Sequence, residues 1–303
     1  MTEYNFLLND RIQKIKSINE KYNLEDNAYL SFSGGKDSVV LTKLLDLAIP
    51  NNKIPRVYCN TGIEYREMVN FIKELQKKDD RIIIIKPKQN IKEMLEKVGY
   101  PFKSKEHSHK LNLWQKGNRT KSLLKYFETE DKNRNGFSCP KKLLYQTSKD
   151  FNLKISDNCC KVLKKDVLNE WSKQNNKSIS LLGLRNNEGG QRRNKTNCIT
   201  LKGSVLKSFS PLLVLDDVFI NEFIEKENIE LCTLYKPPFN FKRTGCKGCP
   251  FAIDLQRELD LLSKNFPEEE KQCEIIFGKV YDEYRRVGYR LRKQMNNDDL
   301  LTW

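Results

Sequence analysis

A glycine turn between an apolar strand and an apolar helix is the sequence feature that most constrains this chain. Residues 29–45 run from a short apolar stretch, through Ser33-Gly-Gly-Lys-Asp-Ser38, into apolar residues at helical spacing. Such a turn directs backbone N–H groups and a helix N-terminus at one point, which makes a site for phosphate oxygens. Its spacing differs from the GxxxxGK[ST] loop of kinases and GTPases. The order of strand, turn and helix predicts an anion site at residues 33–38, called the glycine loop below.

The polar side chains of the glycine loop suit a nucleotide phosphate and its metal ion. Lys36 adds a mobile positive charge, and Ser33 and Ser38 add hydroxyl donors. Asp37 is a carboxylate, which fits beside phosphates mainly when a magnesium ion lies between them. The loop therefore predicts Mg²⁺ together with phosphate. An ordinary strand-to-helix turn with a solvated lysine is the alternative.

Strands and helices alternate along the first part of the chain. Residues 5–21 and 64–77 predict helices, and residues 56–62 predict a strand that ends in the polar turn Asn60-Thr-Gly62. Residues 81–86 form a continuous apolar run between charged residues, which predicts a strand buried on both faces. Alternation of this kind implies an α/β fold with a parallel sheet, and ligands of such sheets lie beyond the carboxyl ends of the strands.

Further elements are predicted beyond residue 100. Residues 106–127 and 159–173 predict helices, residues 131–136 a turn, and residues 178–183 a strand. The two histidines lie in a charged segment and are predicted to be solvated, with metal binding as the alternative: His107 and His109. The strand at 178–183 leads into a loop that carries Arg185, Glu188, Arg192 and Arg193. Arginines that leave a strand end fit phosphate or sulfate groups, and a solvated basic loop is the alternative.

Composition shifts divide the chain into three predicted parts. They are a leading helix at 1–24, a nucleotide-binding domain at 25–235 and a cysteine-containing helical region at 236–303. No stretch approaches the ~18 apolar residues that a membrane helix needs, and the N-terminus lacks the layout of a signal peptide. A cytoplasmic protein without a membrane partner is therefore expected.

The chain is strongly basic, with a formal net charge of +15. A polyanionic partner such as RNA or DNA is one explanation. The other is a general richness in lysine, since the basic residues are scattered along the sequence. Charge by itself does not decide between the two.

Nine cysteines without an export signal indicate metal or thiol chemistry rather than a disulfide framework. Five of them form a candidate ligand set: the adjacent pair Cys159 and Cys160, the CxxC turn Cys246 to Cys249, and Cys273. Four thiolates from this set could hold a tetrahedral zinc ion or an iron–sulfur cluster. Buried apolar cysteines are the alternative, and they explain the CxxC turn poorly.

Together these segments resemble the phosphoadenosine-phosphosulfate (PAPS) reductase family, a branch of the PP-loop ATP pyrophosphatases, over about residues 25–275. The matching motifs are Ser33-Gly-Gly-Lys-Asp-Ser38, Asn60-Thr-Gly62, Gly99-Tyr-Pro101, Ile155-Ser-Asp-Asn-Cys-Cys-Lys161, Gly183-Leu-Arg185 with Glu188, and Arg243-Thr-Gly-Cys-Lys-Gly-Cys249. The resemblance implies an adenine nucleotide alpha hydrolase-like sheet that binds ATP and Mg²⁺, with a small helical, cysteine-containing C-terminal part.

The resemblance also implies functional roles for individual residues. Lys36, Asp37 and Arg185 would be catalytic. The nucleotide would be held by Ser31, Ser33, Gly34, Gly35, Lys36, Asp37, Ser38, Asn60, Thr61, Gly62, Gly183, Arg185 and Arg192. The paired cysteines and the CxxC turn are similar to those that hold a [4Fe-4S] cluster in adenylyl-sulfate reductases. This implies Cys160, Cys246 and Cys249 as ligands, completed by Cys159 or Cys273, with zinc as the alternative metal.

Two departures from the family bear on function. Sulfonucleotide reductases carry a degenerate loop and a nucleophilic cysteine in a C-terminal tail, whereas this sequence keeps the whole SGGKDS and has no cysteine after Cys273. It is thus closer to sulfur-inserting members, such as the DNA phosphorothioation protein of the Dnd system and the tRNA thiolation enzymes.

We therefore expect an ATP-dependent sulfur-transfer enzyme. It would adenylate a nucleic acid (DNA or tRNA), release pyrophosphate, and use a [4Fe-4S] cluster in delivering sulfur from a donor such as a cysteine desulfurase. One alternative is an adenylyl- or phosphoadenylyl-sulfate reductase that grips the substrate with Arg185, Arg192 and Arg193. Another is a non-catalytic nucleotide-binding subunit of a modification or defence complex.

Overall fold

The structure, a computed structural model, describes residues 2–128, 138–186 and 195–293. The strands are β1 (Ala28–Phe32), β2 (Arg56–Cys59), β3 (Ile82–Ile85), β4 (Ile179–Leu181), β5 (Ile199–Lys202) and β6 (Val205–Phe209). The α-helices are α1 (Glu3–Tyr22), α2 (Leu24–Asn27), α3 (Lys36–Ala48), α4 (Arg66–Lys78), α5 (Ile91–Val98), α6 (Lys105–Gln115), α7 (Lys121–Glu128), α8 (Asp166–Gln174), α9 (Asp217–Lys226), α10 (Leu255–Asn265) and α11 (Pro267–Val287). A π-helical stretch, Lys161–Lys165, precedes α8.

The chain forms two compact units that do not follow chain order. The first comprises Met1–Pro87 and Lys164–Thr244, and the second comprises Lys88–Leu163 and Gly245–Trp303. The division predicted from the sequence, with boundaries after residues 24 and 235, assumed that each part is continuous. Residues 88–163 instead group with the C-terminal residues, so the second unit is built from two distant parts of the sequence.

The first unit contains one sheet of six strands in the part of the chain that the structure describes, in the order β3-β2-β1-β4-β6-β5. All neighbouring pairs are parallel except β5 with β6. The predicted α/β class with a parallel sheet and flanking helices is confirmed. β2 and β3 lie on one side of β1, and β4 lies on the other side. The carboxyl ends of β1 and β4 therefore form a topological switch point.

The burial of the strands agrees with their positions in the sheet. All four residues of β2 are buried, as are four of the five in β1. Continuous burial on both faces is typical of central parallel strands covered by helices. The prediction that β3 is also buried on both faces is wrong, because β3 lies at the edge of the sheet and only Ile82 is fully buried.

The hairpin of β5 and β6 was not predicted from the sequence. These strands are joined by Gly203 and Ser204, and Gly203 has a φ of +61°. A two-residue turn that contains glycine between alternating residues is a known hairpin signal. It was overlooked because β5 is largely exposed and carries little apolar periodicity.

The second unit is helical in its described residues. The predicted helix at 106–127 is two helices, α6 and α7, separated by a turn in which Gly117 has a φ of +84°. The C-terminal region predicted to be helical contains α10 and α11. The turn predicted at 131–136 lies outside the described residues. Among the described helices, none is long and apolar enough to cross a lipid bilayer.

The prediction of solvated histidines is wrong for His107, although His109 has an exposed side chain. His107 is fully buried, with its Nδ1 2.9 Å from Tyr126 Oη and its Nε2 2.8 Å from Gln146 Oε1. Burial lowers the pKa of His107 to about 3, so the ring is neutral. Because the Gln146 oxygen only accepts, Nε2 carries the proton and the tyrosine hydroxyl donates to Nδ1. The charged residues near His107 in the sequence do not indicate that its side chain is buried in the core.

Candidate functional site

The glycine loop connects β1 to α3 at the switch point of the sheet. Gly34 has a φ of +70°, a conformation that side chains rarely adopt, and a Cβ there would lie 2.5 Å from Met68 Sδ. Gly35 is the N-cap residue of α3 and has no side chain to cap it. Glycine at position 34 thus lets the chain turn sharply while α4 packs closely against it, and glycine at position 35 leaves room for the hydroxyls of Ser33 and Tyr235.

The two serines of the loop bond mainly within the loop. Ser33 Oγ lies 3.1 Å from Ser38 Oγ and accepts the Gly35 N–H at 3.3 Å. Ser38 Oγ donates to the Gly35 carbonyl at 2.8 Å. The loop is therefore shaped before any ligand arrives. The serine hydroxyls stabilise the loop through hydrogen bonds within it.

The hydroxyl of Tyr235 accepts a hydrogen bond from the first backbone N–H of α3. Lys36 N–H donates to Tyr235 Oη at 3.0 Å, and the same oxygen lies 2.9 Å from Thr244 Oγ1. Burial raises the pKa of Tyr235 above its ordinary value, which keeps the phenol neutral. A helix N-terminus attracts anions, so this amide is one that a phosphate oxygen would take. No local sequence pattern pointed to a role for Tyr235.

Arg185 fixes the loop carboxylate. Its Nε donates to Asp37 Oδ1 at 2.9 Å and its Nη2 to Asp217 Oδ1 at 2.8 Å. The hydrogen bond from Arg185 lowers the pKa of Asp217. Arg185 is 5% exposed, and its Nη1 is buried with no hydrogen-bond partner in the structure. A buried guanidinium nitrogen without a partner suits an anionic ligand such as phosphate or sulfate.

Gly183 allows this arrangement. A Cβ at Gly183 would lie 3.0 Å from the carbonyl carbon and oxygen of Asp37. The chain leaving β4 therefore packs directly on the first turn of α3 and brings Arg185 to Asp37. The sequence motifs associate Gly183 and Arg185 with the nucleotide site, whereas Asp217 was not among the predicted site residues.

Lys36 points toward the start of α9. Its Nζ lies 3.9 Å from Asp217 Oδ1 and 3.5 Å from Asn221 Oδ1. Both contacts are long, so the ammonium is held loosely near the loop. This suits a side chain that must reach a phosphate. Lys36, Asp37, Arg185 and Asp217 thus form one charged group at the carboxyl edge of the sheet.

The turn Asn60-Thr61-Gly62 follows β2 and is closed on itself. Gly62 N–H donates to Asn60 Oδ1 at 3.1 Å, and Thr61 N–H donates to Glu64 Oε2 at 2.9 Å. Lys164 Nζ lies 3.0 Å from Glu64 Oε1. Ser31, the other predicted nucleotide residue, lies within β1 and is half-buried. Arg192, together with Glu188 and Arg193, lies outside the described residues.

The candidate metal ligands all belong to the second unit. Cys159 Sγ lies 3.9 Å from Cys160 Sγ. The hydrogen bond with Cys160, burial, and the nearby Cys249 and Cys246 raise the pKa of Cys159. Burial and the neighbouring Cys246 likewise raise the pKa of Cys249. Neighbouring thiols thus disfavour the thiolate forms of Cys159 and Cys249.

Cys273 packs against the CxxC turn from α11. Gly248 has a φ of +58°, and a Cβ there would lie 2.7 Å from Cys273 Sγ. The turn is held by Tyr281 Oη, which donates to the Gly248 carbonyl, and by Tyr284 Oη, which donates to the Pro250 carbonyl at 2.9 Å. Burial raises the pKa of Cys273 to about 12. In residues 2–128, 138–186 and 195–293, no three His, Cys, Asp or Glu side chains are arranged around a common metal position.

Thiol chemistry nevertheless fits a cationic centre here. Clustered thiols with raised pKa values are stabilised as thiolates when a metal ion neutralises their repulsion. Lys247, between the two cysteines of the turn, forms a buried ion pair with Glu269 at 2.5 Å. This pair anchors the turn to α11.

Comparisons with known proteins identify related chains. The uncharacterized protein MJ0973 of Methanocaldococcus jannaschii is 24% identical over 304 residues, covering 92% of this chain and 55% of the relative. The chain thus spans about half the length of that curated relative.

Two solved structures are similar at low sequence identity. The PAPS reductase of Candida auris, in a phosphate complex, has a TM-score of 0.44 at 10% identity and covers 81% of this chain and 96% of its own. The U34-tRNA thiolase NcsA of Methanococcus maripaludis, with its [4Fe-4S] cluster, has a TM-score of 0.39 at 15% identity and covers 99% and 86%.

The family comparison covers most of the chain. The model of the phosphoadenosine phosphosulfate reductase domain matches residues 27–133 and 124–252. These ranges include the glycine loop, Arg185, the cysteine pair and the CxxC turn. The chain belongs to the phosphoadenosine phosphosulfate reductase domain family.

Proposed function

We propose that the protein is an ATP-dependent sulfur-transfer enzyme that adenylates a nucleic acid. The observation that carries this proposal is the complete glycine loop, in which Arg185 fixes Asp37 while Lys36 stays loosely held. An enzyme that only bound a sulfonucleotide would have no β–γ pyrophosphate to accommodate, and a degenerate loop would serve it.

The proposed reaction has two steps. An oxygen of the acceptor attacks the α-phosphorus of ATP, and the bond to the bridging oxygen of pyrophosphate breaks. A sulfur nucleophile then displaces AMP from the adenylated acceptor. The chain's own residues contribute mainly positioning and charge stabilisation.

Each loop residue has a role in the first step. The start of α3 would bind the β and γ phosphates, and Lys36 would neutralise the charge that develops on pyrophosphate. Asp37 would hold Mg²⁺ beside the phosphates. The buried Nη1 of Arg185 would donate to a phosphate oxygen, since it has no partner in the structure.

A thiolate-held metal centre is the second part of the proposal. Cys159, Cys160, Cys246, Cys249 and Cys273 are the candidate ligands, for a [4Fe-4S] cluster or for zinc. When bound, a cluster would supply an iron site for sulfur, to be provided by a donor such as a cysteine desulfurase. Iron content and the visible spectrum of anaerobically purified protein test this assignment. A colourless protein with stoichiometric zinc would exclude the cluster.

ATP–pyrophosphate exchange tests the adenylation step. With single-stranded DNA or unmodified tRNA present, the wild type should exchange, and Lys36→Ala should be about 100-fold slower because a charge aimed at the leaving group is lost. Lys43→Ala is the matched control, since Lys43 lies on the same helix in a partly exposed ion pair with Glu227. Equal rates for Lys36→Ala and the wild type would contradict the proposal. Nucleotide binding without exchange would favour the non-catalytic subunit.

Reduction of a sulfonucleotide is the second candidate. Membership of the family and the buried, unpartnered Nη1 of Arg185 favour it, because a guanidinium also suits sulfate. Thioredoxin-dependent release of sulfite from adenylyl sulfate would support reduction. Exchange that depends on a nucleic acid would support sulfur transfer instead.

A further inference from the structure

The second unit contains an open cavity of about 430 Å³ that no part of the proposed chemistry uses. It lies between the end of α6, the turn after it, and residues 146–154. A volume in this range accommodates a drug-sized or nucleotide-sized ligand. Its walls combine positive charge, an aromatic–guanidinium stack and one buried amide, and each of these points to the same class of ligand.

Positive charge dominates the lining. Lys116, Arg119 and Lys149 line the cavity, and all three are exposed. No acidic side chain is among the lining residues that the structure describes, and none of the three cations is ion-paired with a described carboxylate. A group of exposed cations with no ion pair to a described carboxylate favours an anionic ligand.

A fixed guanidinium provides a stacking platform. The Arg119 guanidinium lies 3.7 Å from the centre of the Trp114 ring, and its Nη1 donates to the Trp114 and Asn118 carbonyls at 2.9 and 2.7 Å. Trp114 is itself held by its indole N–H, which donates to the Thr147 carbonyl at 3.2 Å. The outer face of such a guanidinium plane is a surface on which unpaired bases stack.

A buried amide lacks a partner at the same place. Gln146 is 1% exposed and lines the cavity. Its Oε1 accepts from His107 Nε2, whereas its Nε2 has no hydrogen-bond partner in the structure. Buried amide donors are almost always satisfied, so this one indicates an absent acceptor. A base carbonyl or a phosphate oxygen would satisfy it.

We propose that this cavity binds a nucleotide of a single-stranded polynucleotide, with the base on Arg119, an acceptor oxygen on Gln146, and neighbouring phosphates on Lys116 and Lys149. Several exposed cations around an open cavity fit consecutive phosphates of a strand better than one free nucleotide. The inference deepens the proposed function, in which a nucleic acid is the acceptor, and rests on it for the choice of ligand.

Fluorescence anisotropy with labelled 12-nucleotide strands, RNA and DNA of one sequence, tests the proposal on the whole chain without ATP. Binding of either strand by the wild type is expected, and the preferred strand identifies the polymer. Arg119→Ala should weaken binding about tenfold, as expected for the loss of one stacked base and a cation. Lys149→Ala should reduce the slope of log K against log salt by about 0.7, the value for one phosphate contact of a single strand.

Two further variants sharpen the test. Gln146→Glu keeps the oxygen that accepts from His107 and replaces the unpartnered donor with a negative charge, so binding should fall about tenfold. Lys92→Ala removes the same charge as Lys149→Ala from an exposed position on α5 away from the cavity, and should change affinity less than about twofold.

Three outcomes would overturn the inference. They are no strand binding by the wild type, equal effects of Lys149→Ala and Lys92→Ala, and saturation of the cavity by AMP with the same dependence on Arg119. Because ATP is absent, failure here is distinct from failure of the exchange assay. A protein that exchanges pyrophosphate but binds strands independently of the cavity would keep the proposed function and lose this site.

Discussion

The glycine loop of the first unit and the CxxC turn of the second are both tight turns built on glycine, yet they hold their reactive groups differently. In the loop, polar groups are already bonded to one another, to Tyr235 and to Arg185. Around the CxxC turn, burial and neighbouring thiols raise the pKa values of the cysteines. The loop is ordered by its own hydrogen bonds, whereas the thiols would become thiolates only if a cation offset their mutual repulsion.

The largest effect is expected at the buried ion pair that anchors the CxxC turn. Lys247→Met leaves Glu269 as a buried carboxylate without its partner and should lower the free energy of unfolding by about 3–5 kcal/mol. Urea denaturation followed by circular dichroism, with both proteins in the same metal state, measures the change. Lys271→Met is the control, because its ion pair with Glu268 is exposed and should cost no more than about 1 kcal/mol.

A double variant separates the effect of an unpaired buried charge from the effect of changed side-chain packing at this ion pair. Lys247→Met combined with Glu269→Leu replaces the pair by apolar side chains and should recover most of the lost stability. If Lys247→Met costs no more than Lys271→Met, then the ion pair does not anchor the turn.

The next largest effect is expected at the glycine loop. Arg185→Met removes the group that fixes Asp37 and donates toward the phosphates, so ATP–pyrophosphate exchange should fall about 100-fold. Arg185→Lys keeps the charge but cannot bridge Asp37 and Asp217 as a fork, and its rate should lie in between. Wild-type exchange by Arg185→Met would show that the loop does not depend on this arginine.

A smaller, pH-dependent effect is expected from the core of the second unit. The folded-state pKa of His107 is lowered to about 3, so between this value and the ordinary value of about 6.5 the unfolded chain binds the additional proton. Stability therefore falls as pH falls, by about 1 kcal/mol between pH 7 and 5.5. Urea denaturation at the two pH values measures the loss, and His107→Gln should remove this part of it. An identical pH dependence in the variant would contradict the assignment.

The smallest effect is expected at Tyr235, the occupant of the first amide of α3. Its hydroxyl must leave Lys36 N–H when a phosphate takes that amide, so Tyr235→Phe should bind ATP about threefold more tightly, the scale of one net hydrogen bond. Isothermal titration measures the affinity, with Tyr22→Phe at the C-terminal end of α1 as control. Weaker binding by Tyr235→Phe would mean that the hydroxyl contacts the nucleotide and stays in place.

Much of the first unit could be predicted from local sequence. The alternation of strand and helix is encoded by nearby residues, and the bounds of β1, α3 and β2 fall close to the predicted ones. Gly34 indicates the turn, because its φ of +70° is a conformation that side chains rarely adopt. The edge position of β3 was not predictable in this way, because a run of isoleucines is compatible with a central strand and with an edge strand.

The sequence by itself determined the alternation of strands and helices that implies a parallel sheet, and the glycine loop between β1 and α3, because each strand, helix and turn is encoded by residues of one short segment. Only the tertiary structure decided that Arg185 joins Asp37 to Asp217, that Tyr235 caps the start of α3, and that His107 is buried beside an amide without a partner. These contacts join residues far apart in the chain. Periodicity and turn preference are local properties of the sequence, whereas such contacts depend on how the folded chain brings distant side chains together.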